Sequence, residues 1–362
     1  AQVAAGENPR YDGRCRDRTE PIAGREPVVR FRTPDEGIVV VDDLVRGRVE
    51  FANAELDDLI IQRADGWPTY HFGVVVDDAD MNITHVIRGD DHLNNTPRQL
   101  HIIDALGESR PAYAHLPMIL GEDGARLSKR HGSVNVLEYR EQGYLPEALL
   151  NYLARLGWSH GDQEIFSLDE MIELFDIRDV NASASKFNPE KLAWVNQQYI
   201  QSLPANELAP LLEEQLGRLE LDSSGGPSAE RVVEAYRDRA QTMAEMANSA
   251  TYLYRDFPAH DEKAAKKHLR PVVEQPLTDI RARLAALDEW SAPAIHAVID
   301  DVARQHELGF GKLGQPLRVA VTGGSVSPPI DVTVELVGRR RALVRLDMAL
   351  EYIRQREQAG RD

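Results

Sequence analysis

Gly121-Glu122-Asp123-Gly124-Ala125-Arg126-Leu127-Ser128-Lys129-Arg130-His131-Gly132 is the stretch on which the reading of this chain turns. Three cations and a hydroxyl lie between Arg126 and Arg130, behind a glycine-bearing lead-in that reads as flexible. Such a loop can close over a polyphosphate. Lys129 and Arg130 would give charge-assisted hydrogen bonds to phosphate oxygens, and Ser128 a neutral one. A lone Ser-Lys-Arg is more often a solvated basic turn, because short motifs match by chance. The flanking sequence decides between the two.

Upstream the chain reads Asp65-Gly66-Trp67-Pro68-Thr69-Tyr70-His71-Phe72 and then Val74-Val75-Val76-Asp77-Asp78. Next come Thr84-His85-Val86-Ile87-Arg88-Gly89-Asp90-Asp91-His92 and Asn94-Asn95-Thr96-Pro97-Arg98-Gln99. Downstream lie Gly143-Tyr144-Leu145-Pro146-Glu147-Ala148, Leu156-Gly157-Trp158-Ser159 and Phe187-Asn188-Pro189-Glu190-Lys191-Leu192, with Lys312-Leu313-Gly314-Gln315-Pro316-Leu317-Arg318 near the end. In order and spacing these resemble the bacterial glutamyl-tRNA synthetases, and the Leu-Ser-Lys-Arg stretch resembles the Lys-Met-Ser-Lys-Ser loop of class I aminoacyl-tRNA synthetases. The match is dense from residue 37 to 200 and looser beyond.

The resemblance implies an α/β fold: a partial Rossmann-type class I catalytic domain with part of an inserted acceptor-binding domain, then an all-α anticodon-binding half. Residues 1–65 would end the inserted domain, and 66–123 would form the second half of the catalytic domain. Residues 124–202 would be a stem-contact region carrying the Leu-Ser-Lys-Arg loop, and 203–362 a helical anticodon-binding region of two subdomains. The implied activity is glutamate–tRNA ligation: ATP activates L-glutamate, which passes to tRNA(Glu). By resemblance Ser128, Lys129 and Arg130 are catalytic, Asp91, His92 and Lys129 bind ATP, and Tyr70, Arg88 and Val74 line the glutamate site. Val74 stands where some relatives carry Asn, so an amide contact is lost there. Asp90 stands where the pattern more often has Glu. Arg88, between apolar Val86-Ile87 and Gly89, would suit a carboxylate through a bidentate guanidinium. Arg237, Arg239 and Arg318 are possible anticodon contacts, with Arg239 and Arg318 the better candidates.

Two other readings remain open. Glutaminyl-tRNA synthetases carry a β-barrel anticodon part, whereas residues 200 to 362 read as helices. A non-catalytic tRNA-binding fragment is the rival from a different class. The chain opens on Ala1 and holds no His-x-Gly-His motif. The resemblance therefore implies a preceding segment on the order of a hundred residues, with the first half of the nucleotide-binding fold. The isolated chain is expected to bind tRNA(Glu) without forming the adenylate.

Composition bounds these readings. The chain has 362 residues, 42% of them apolar and 28% charged, enough for two or three domains. No apolar run reaches membrane-span length; no membrane partner, a cytoplasmic location and a monomer are expected. A net charge of −17 argues against wholesale nucleic-acid binding, but phosphate contacts need only one basic face. Arg339-Arg340-Arg341 with Arg345, and Lys263, Lys266, Lys267 and Arg270, are the basic clusters; each alone reads as a solvated helix face. Mg2+ would arrive with ATP. Zinc is not expected, since Cys15 is the single cysteine and a structural site needs four ligands.

Local patterns place the elements. Strands are expected at Arg30–Arg32, Ile38–Val41, 58–62 and Val74–Val76. Asn95-Thr96-Pro97 opens a helix closed by Gly107. Leu149, Tyr152, Leu153 and Leu156 mark a helix begun by Pro146 and stopped by Gly157. Ser167 with Glu170 is a capping box. Further helices are expected near 205–219, 229–253, 273–288, from Ser291 onward, and through Leu343–Ile353, with a loop at Ser223–Ser228.

Overall fold

The computed structural model describes residues 11–20, 22–128, 130 and 135–359. They form two units, Ala1–Gly132 with Asn151–Asn188, and Ser133–Leu150 with Pro189–Asp362.

The first unit is built on a four-stranded sheet. Strands β1 (Val29–Arg30), β2 (Ile38–Asp43), β3 (Gly47–Ala52) and β4 (Ile60–Gln62) come first, then helix α1 (Tyr70–Asp80), β5 (His85–Gly89), α2 (Thr96–Leu106) and β6 (Ala112–Leu116). The sheet order is β3-β2-β6-β5, while β1 and β4 pair separately. β2 and β3 form an antiparallel hairpin from Ile38↔Ala52 to Asp43↔Gly47. β6 runs parallel to both β2 and β5. In β2, Val39, Val41 and Asp43 are buried and alternate with more exposed residues, as the two-residue period of a strand requires. Val39, Val41, Val75, Leu100, Ile102, Ile103 and Tyr113 form the core between sheet and helices.

One expectation fails here. Val74–Val76 is not a strand; it lies inside α1. Three consecutive valines carry no period, and tertiary packing overrides their β preference. Val75 is buried, and Phe72 and Val74 pack on the same core. Thr69 enters the helix in an extended conformation, and its hydroxyl donates to the Ile60 carbonyl at 2.6 Å. The strand expected at Arg30–Arg32 is displaced to β1, sharing only Arg30, and the one expected at 58–62 shortens to β4. Gly107 closes α2 in the left-handed conformation, φ 77°. Asn95 makes no side-chain cap; its amide meets His92 Nδ1 at 3.1 Å.

Helices α3 (Val136–Glu141), α4 (Pro146–Arg155) and α5 (Leu168–Leu174) follow. The Ser167–Glu170 capping box forms in full. In the second unit every α or β element from Pro189 onward is a helix among the described residues: α6 (Pro189–Ser202), α7 (Ala205–Arg218), α8 (Ala229–Tyr236), α9 (Met243–Ser249), α10 (Thr251–Tyr254), α11 (Glu262–His268), α12 (Glu274–Ala285), α13 (Ala292–Gln305), α14 (Phe310–Thr322), α15 (Ile330–Val337) and α16 (Arg339–Ala359). The single helix expected over 229–253 is three. The chain breaks after Tyr236 because its polar groups are claimed elsewhere. Asn196 donates to the Gln241 carbonyl at 2.5 Å, Met243 N–H donates to the Gly143 carbonyl at 2.9 Å, and Thr242 caps α9 through Glu245 N–H. Gly143 sits at φ 80°, and a Cβ there would lie 2.2 Å from Ala244 N.

Of the basic run of α16 only Arg340 is exposed; Arg339, Arg341 and Arg345 are engaged in packing. Arg345 is 3% exposed and donates to the Val321 and Tyr252 carbonyls and to Asp256, each at 2.8 Å. Arg341 donates to Leu253 O at 2.6 Å, and Arg339 to Leu287 O. These guanidiniums satisfy carbonyls at helix ends, which lack intrahelical partners. Lys263, Lys266, Lys267 and Arg270 are exposed.

Candidate functional site: the carboxyl edge of the parallel strands

In an open α/β sheet, ligands bind outside the carboxyl ends of the parallel strands. Asp43 ends β2, Arg88 is the penultimate residue of β5, and His115 the penultimate residue of β6. The strand pairing sets Asp43 beside Tyr113, and Arg88 beside His115. Three parallel strands thus deliver an acid, a guanidinium and an imidazole to one edge.

These side chains form a closed polar network. Asp43 Oδ2 lies 2.6 Å from His115 Nδ1. Asp43 also accepts backbone N–H from Val45, Arg46 and His115. Arg88 Nε donates to His115 Nε2 at 3.2 Å, and Arg88 Nη2 donates to Thr96 Oγ1 and Gln99 Oε1, each at 2.8 Å. The Thr96 hydroxyl lies 3.0 Å from His115 Nε2. Arginine can only donate, so Nε2 is the acceptor and the ring proton sits on Nδ1, directed at Asp43. Burial, against the pull of Asp43, holds the His115 pKa below its ordinary value, so the ring is neutral. Burial alone would raise Asp43; the Arg46 N–H, the His115 ring and further backbone N–H groups outweigh it and keep the carboxylate below its usual range.

This arrangement departs from the bidentate grip expected of Arg88. Its Nε and Nη2 are turned inward, and among the described residues only Nη1 carries no hydrogen bond. Tyr70, the first residue of α1, is 55% exposed and meets His71 edge-on at 5.2 Å. Val74 follows one turn later, half-buried. Asp78, a further turn on, feels the Arg88 charge, although burial raises its pKa overall.

After β5 the chain tightens into a 3-10 turn, Asp90–Asn95, carrying both acids and His92. Gly89 brings the backbone close to the turn: a Cβ would fall 2.7 Å from Asp91 Oδ1, which would have to shift, and 3.4 Å from Met118 Sδ. Asp90 pairs with Arg46, and Asp91 pairs with Arg126 at 3.3 Å. The lead-in to the basic loop, read as flexible, is a tight hairpin. Gly121 N–H donates to Ala125 O at 2.8 Å, Leu127 N–H to Ile119 O at 2.9 Å, and Gly124 adopts φ 77°. Ser128 is half-buried, and Arg130 reaches Asp123 at 3.2 Å. Lys129, His131 and Gly132 lie outside the described residues.

In the helical unit, Arg318 of α14 donates to Ser327 Oγ at 2.8 Å and Gln315 Oε1 at 2.5 Å. Burial, then the nearby Arg239, push its pKa down. Arg239 is exposed, whereas Arg237 donates to Leu203 O at 2.7 Å. Arg318 faces a cleft of about 310 Å³, where His296 and Phe310 stack at 4.7 Å and His296 Nδ1 meets Asp331 at 2.9 Å. Among the described residues no group of three or more His, Cys, Asp or Glu is placed to hold a metal, and no helix is long and apolar enough to cross a membrane.

The sequence did not single out Asp43, Arg46, Thr96, Gln99, His115, His296 or Phe310. The Asp43–His115 pair spans 72 positions, and a lone histidine in Ala-Tyr-Ala-His-Leu reads as a core residue. No local signal joins the two.

Comparison with known proteins places this geometry. The family model for the catalytic domain of class I tRNA synthetases (E and Q) matches residues 1–194, and that for an anticodon binding domain matches residues 206–350. The glutamate–tRNA ligase 1 of Nitrosococcus oceani is 58% identical over 358 residues, which cover 99% of this chain and 76% of that protein. The chain belongs to the glutamate–tRNA ligases. The glutamate–tRNA ligase 1 of Alkalilimnicola ehrlichii is 57% identical over 360 residues, again 99% and 76% of the two chains. A glutamate tRNA ligase structure from Elizabethkingia meningosepticum, solved in complex with its amino acid, superposes with a TM-score of 0.83 at 31% identity, covering 97% of this chain and 76% of that one. The strand edge is therefore part of a class I catalytic domain with a Rossmann-like sheet, followed by a mostly helical anticodon domain. The family activates glutamate with ATP and joins it to tRNA. The glutaminyl reading gives way: the relatives are glutamate ligases, and the described anticodon half is helical.

Proposed function

We propose that the substrate RNA is tRNA(Glu) and that the carboxyl edge of β2, β5 and β6 is the glutamate side of the activation site. The observation that carries this is a guanidinium with two nitrogens held internally and, among the described residues, Nη1 without a hydrogen bond. Arg88 Nη1 contacts a glutamate carboxylate, with Tyr70 and Val74 on the neighbouring helix face. Asp91 and His92 lie on the ATP side. Lys129 and Arg130 neutralise the phosphates, and Ser128 adds a neutral donor, as a glutamate carboxylate oxygen attacks the α-phosphorus and pyrophosphate leaves. No general base is needed, because a carboxylate is already anionic at neutral pH. Mg2+ travels on the ATP phosphates, and zinc plays no part.

Arg239 and Arg318 meet the anticodon, and the His296–Phe310 stack offers a face for a splayed base. The division into residues 1–65, 66–123, 124–202 and 203–362 follows these roles. The protein works as a cytoplasmic monomer. Filter binding of tRNA(Glu) against tRNA(Gln), with and without Arg318→Ala, tests the RNA part. Equal affinity of parent and variant for both RNAs would remove Arg318 from the interface. Isothermal titration with L-glutamate, comparing Arg88→Lys, tests the amino-acid part.

A further inference from the structure

We propose that His115, held by Asp43, is a positioning residue for glutamate recognition: its Nε2 fixes the Arg88 guanidinium so that Nη1 alone faces the substrate. The inference rests on the reading of Arg88 as a glutamate contact. Each part of the device is visible. Asp43 and His115 side chains are fully shielded from solvent. The carboxylate–imidazole contact at 2.6 Å fixes the ring orientation and tautomer. Nε2 then accepts from Arg88 Nε at 3.2 Å, with the Thr96 hydroxyl 3.0 Å from the same nitrogen. Gln99 cannot be flipped, since its Oε1 must accept from Arg88 Nη2. The Tyr113 ring stacks parallel on His115 at 6.0 Å, and Arg88 lies over the Tyr113 ring at 5.7 Å. The guanidinium is thus fixed along one edge and over one face before any ligand arrives. That preorganisation favours recognition, because little freedom is left to lose on binding.

The alternative is that the Asp43–His115 contact only stabilises the sheet edge. Two substitutions separate the roles. His115→Gln places an amide near the Nε2 position, keeping an acceptor for Arg88 and losing the Asp43 bond. His115→Asn places its amide near Nδ1, keeping the Asp43 bond and losing the acceptor. Positioning predicts that Gln retains glutamate affinity while Asn lowers it about tenfold or more, the cost of an unmade charge-assisted hydrogen bond. A purely structural role predicts the reverse order, tracked by thermal stability. In an Arg88→Lys background His115→Asn should add no further loss, because the two changes act through one contact.

The experiment uses the full chain with L-glutamate in isothermal titration, and selective ¹⁵N-histidine NMR without ligand. The expected spectrum shows His115 with Nδ1 protonated and Nε2 bare. A protonated Nε2, or glutamate affinity retained by Asn and lost by Gln, overturns the proposal. If Arg88→Lys leaves glutamate affinity unchanged, the pocket reading fails. This proposal then falls with it, even where the NMR shows the Nδ1–H tautomer and so establishes the local geometry separately.

Discussion

Arg345→Met should unfold the helical unit far more easily and leave the electrostatics of RNA binding alone. Arg345 is 3% exposed and satisfies the carbonyls of Tyr252 and Val321 and the carboxylate of Asp256. Its guanidinium also stands 4.8 Å from the Phe257 ring centre. Methionine fills much of the volume but donates nothing. Two buried carbonyls left without donors cost about 1–3 kcal/mol each. Against this stands the relief of a buried cation, whose charged form burial disfavours and whose Nε has no partner among the described residues. Breaking such a site typically costs about 3–5 kcal/mol, and the lower end is expected here because Asp256 is itself largely exposed. Urea unfolding followed by circular dichroism reads the loss. Filter binding of tRNA(Glu) between low and moderate salt reads the other half. If Arg345 contacted a phosphate, the salt slope would shrink by about 0.9. A stability loss below about 1 kcal/mol together with a shallower slope would refute the helix-end reading and restore a basic footprint.

Three further outcomes are expected. Lys129→Ala, in an exchange-competent enzyme, should slow ATP–pyrophosphate exchange on the order of a hundredfold while glutamate affinity holds; an unchanged rate would detach the loop from the chemistry. Asp43→Asn should lower the melting temperature at neutral pH, and the gap should close in acid. The folded carboxylate lies below its ordinary value of 3.8, so its stabilisation is present above that value and is lost as pH falls through the folded pKa; parallel melting curves from pH 7 into that range would contradict this. His296→Ala should weaken tRNA(Glu) binding through a lost stacking face worth about 1–3 kcal/mol, with the salt slope unchanged. A shallower slope would instead assign His296 to phosphate contact.

The elements that could be read from the chain are those whose signals are local. Ser167 and Glu170 cap one another three residues apart, Gly107 ends α2 in a conformation that glycine adopts without strain, and α13 follows the Ile295, Val298, Ile299, Val302 spacing. What misleads is sequence whose conformation is set from outside. Val74–Val76 is helical because Val75 and its neighbours meet a core made by distant strands. The break after Tyr236 depends on Asn196 and Gly143, which take the backbone partners a continuous helix would use. Arg345 looks like a surface cation until the ends of α10 and α14 arrive beside it.

The candidate site divides along the same line. Arg88 stands out because it follows two apolar residues, precedes a glycine and lies in a stretch that resembles the family's motif. The residues that set its direction do not, because each is ordinary in its own segment. Asp43 closes a run of valines, Thr96 reads as a helix-start residue, and His115 sits in an apolar strand. Topology makes them a set. Two parallel pairings onto β6 bring the last polar residues of three strands to one edge, where the sheet stops and apolar packing no longer covers them. A polar residue at that edge cannot be left unpaired without cost, so neighbours converge on it, and among the described residues the convergence leaves one guanidinium nitrogen over. The hydrogen-bonding demand of a buried strand end and the availability of Arg88 Nη1 for a ligand are thus one arrangement. A substitution that relaxes the first should disorder the second without touching the ligand.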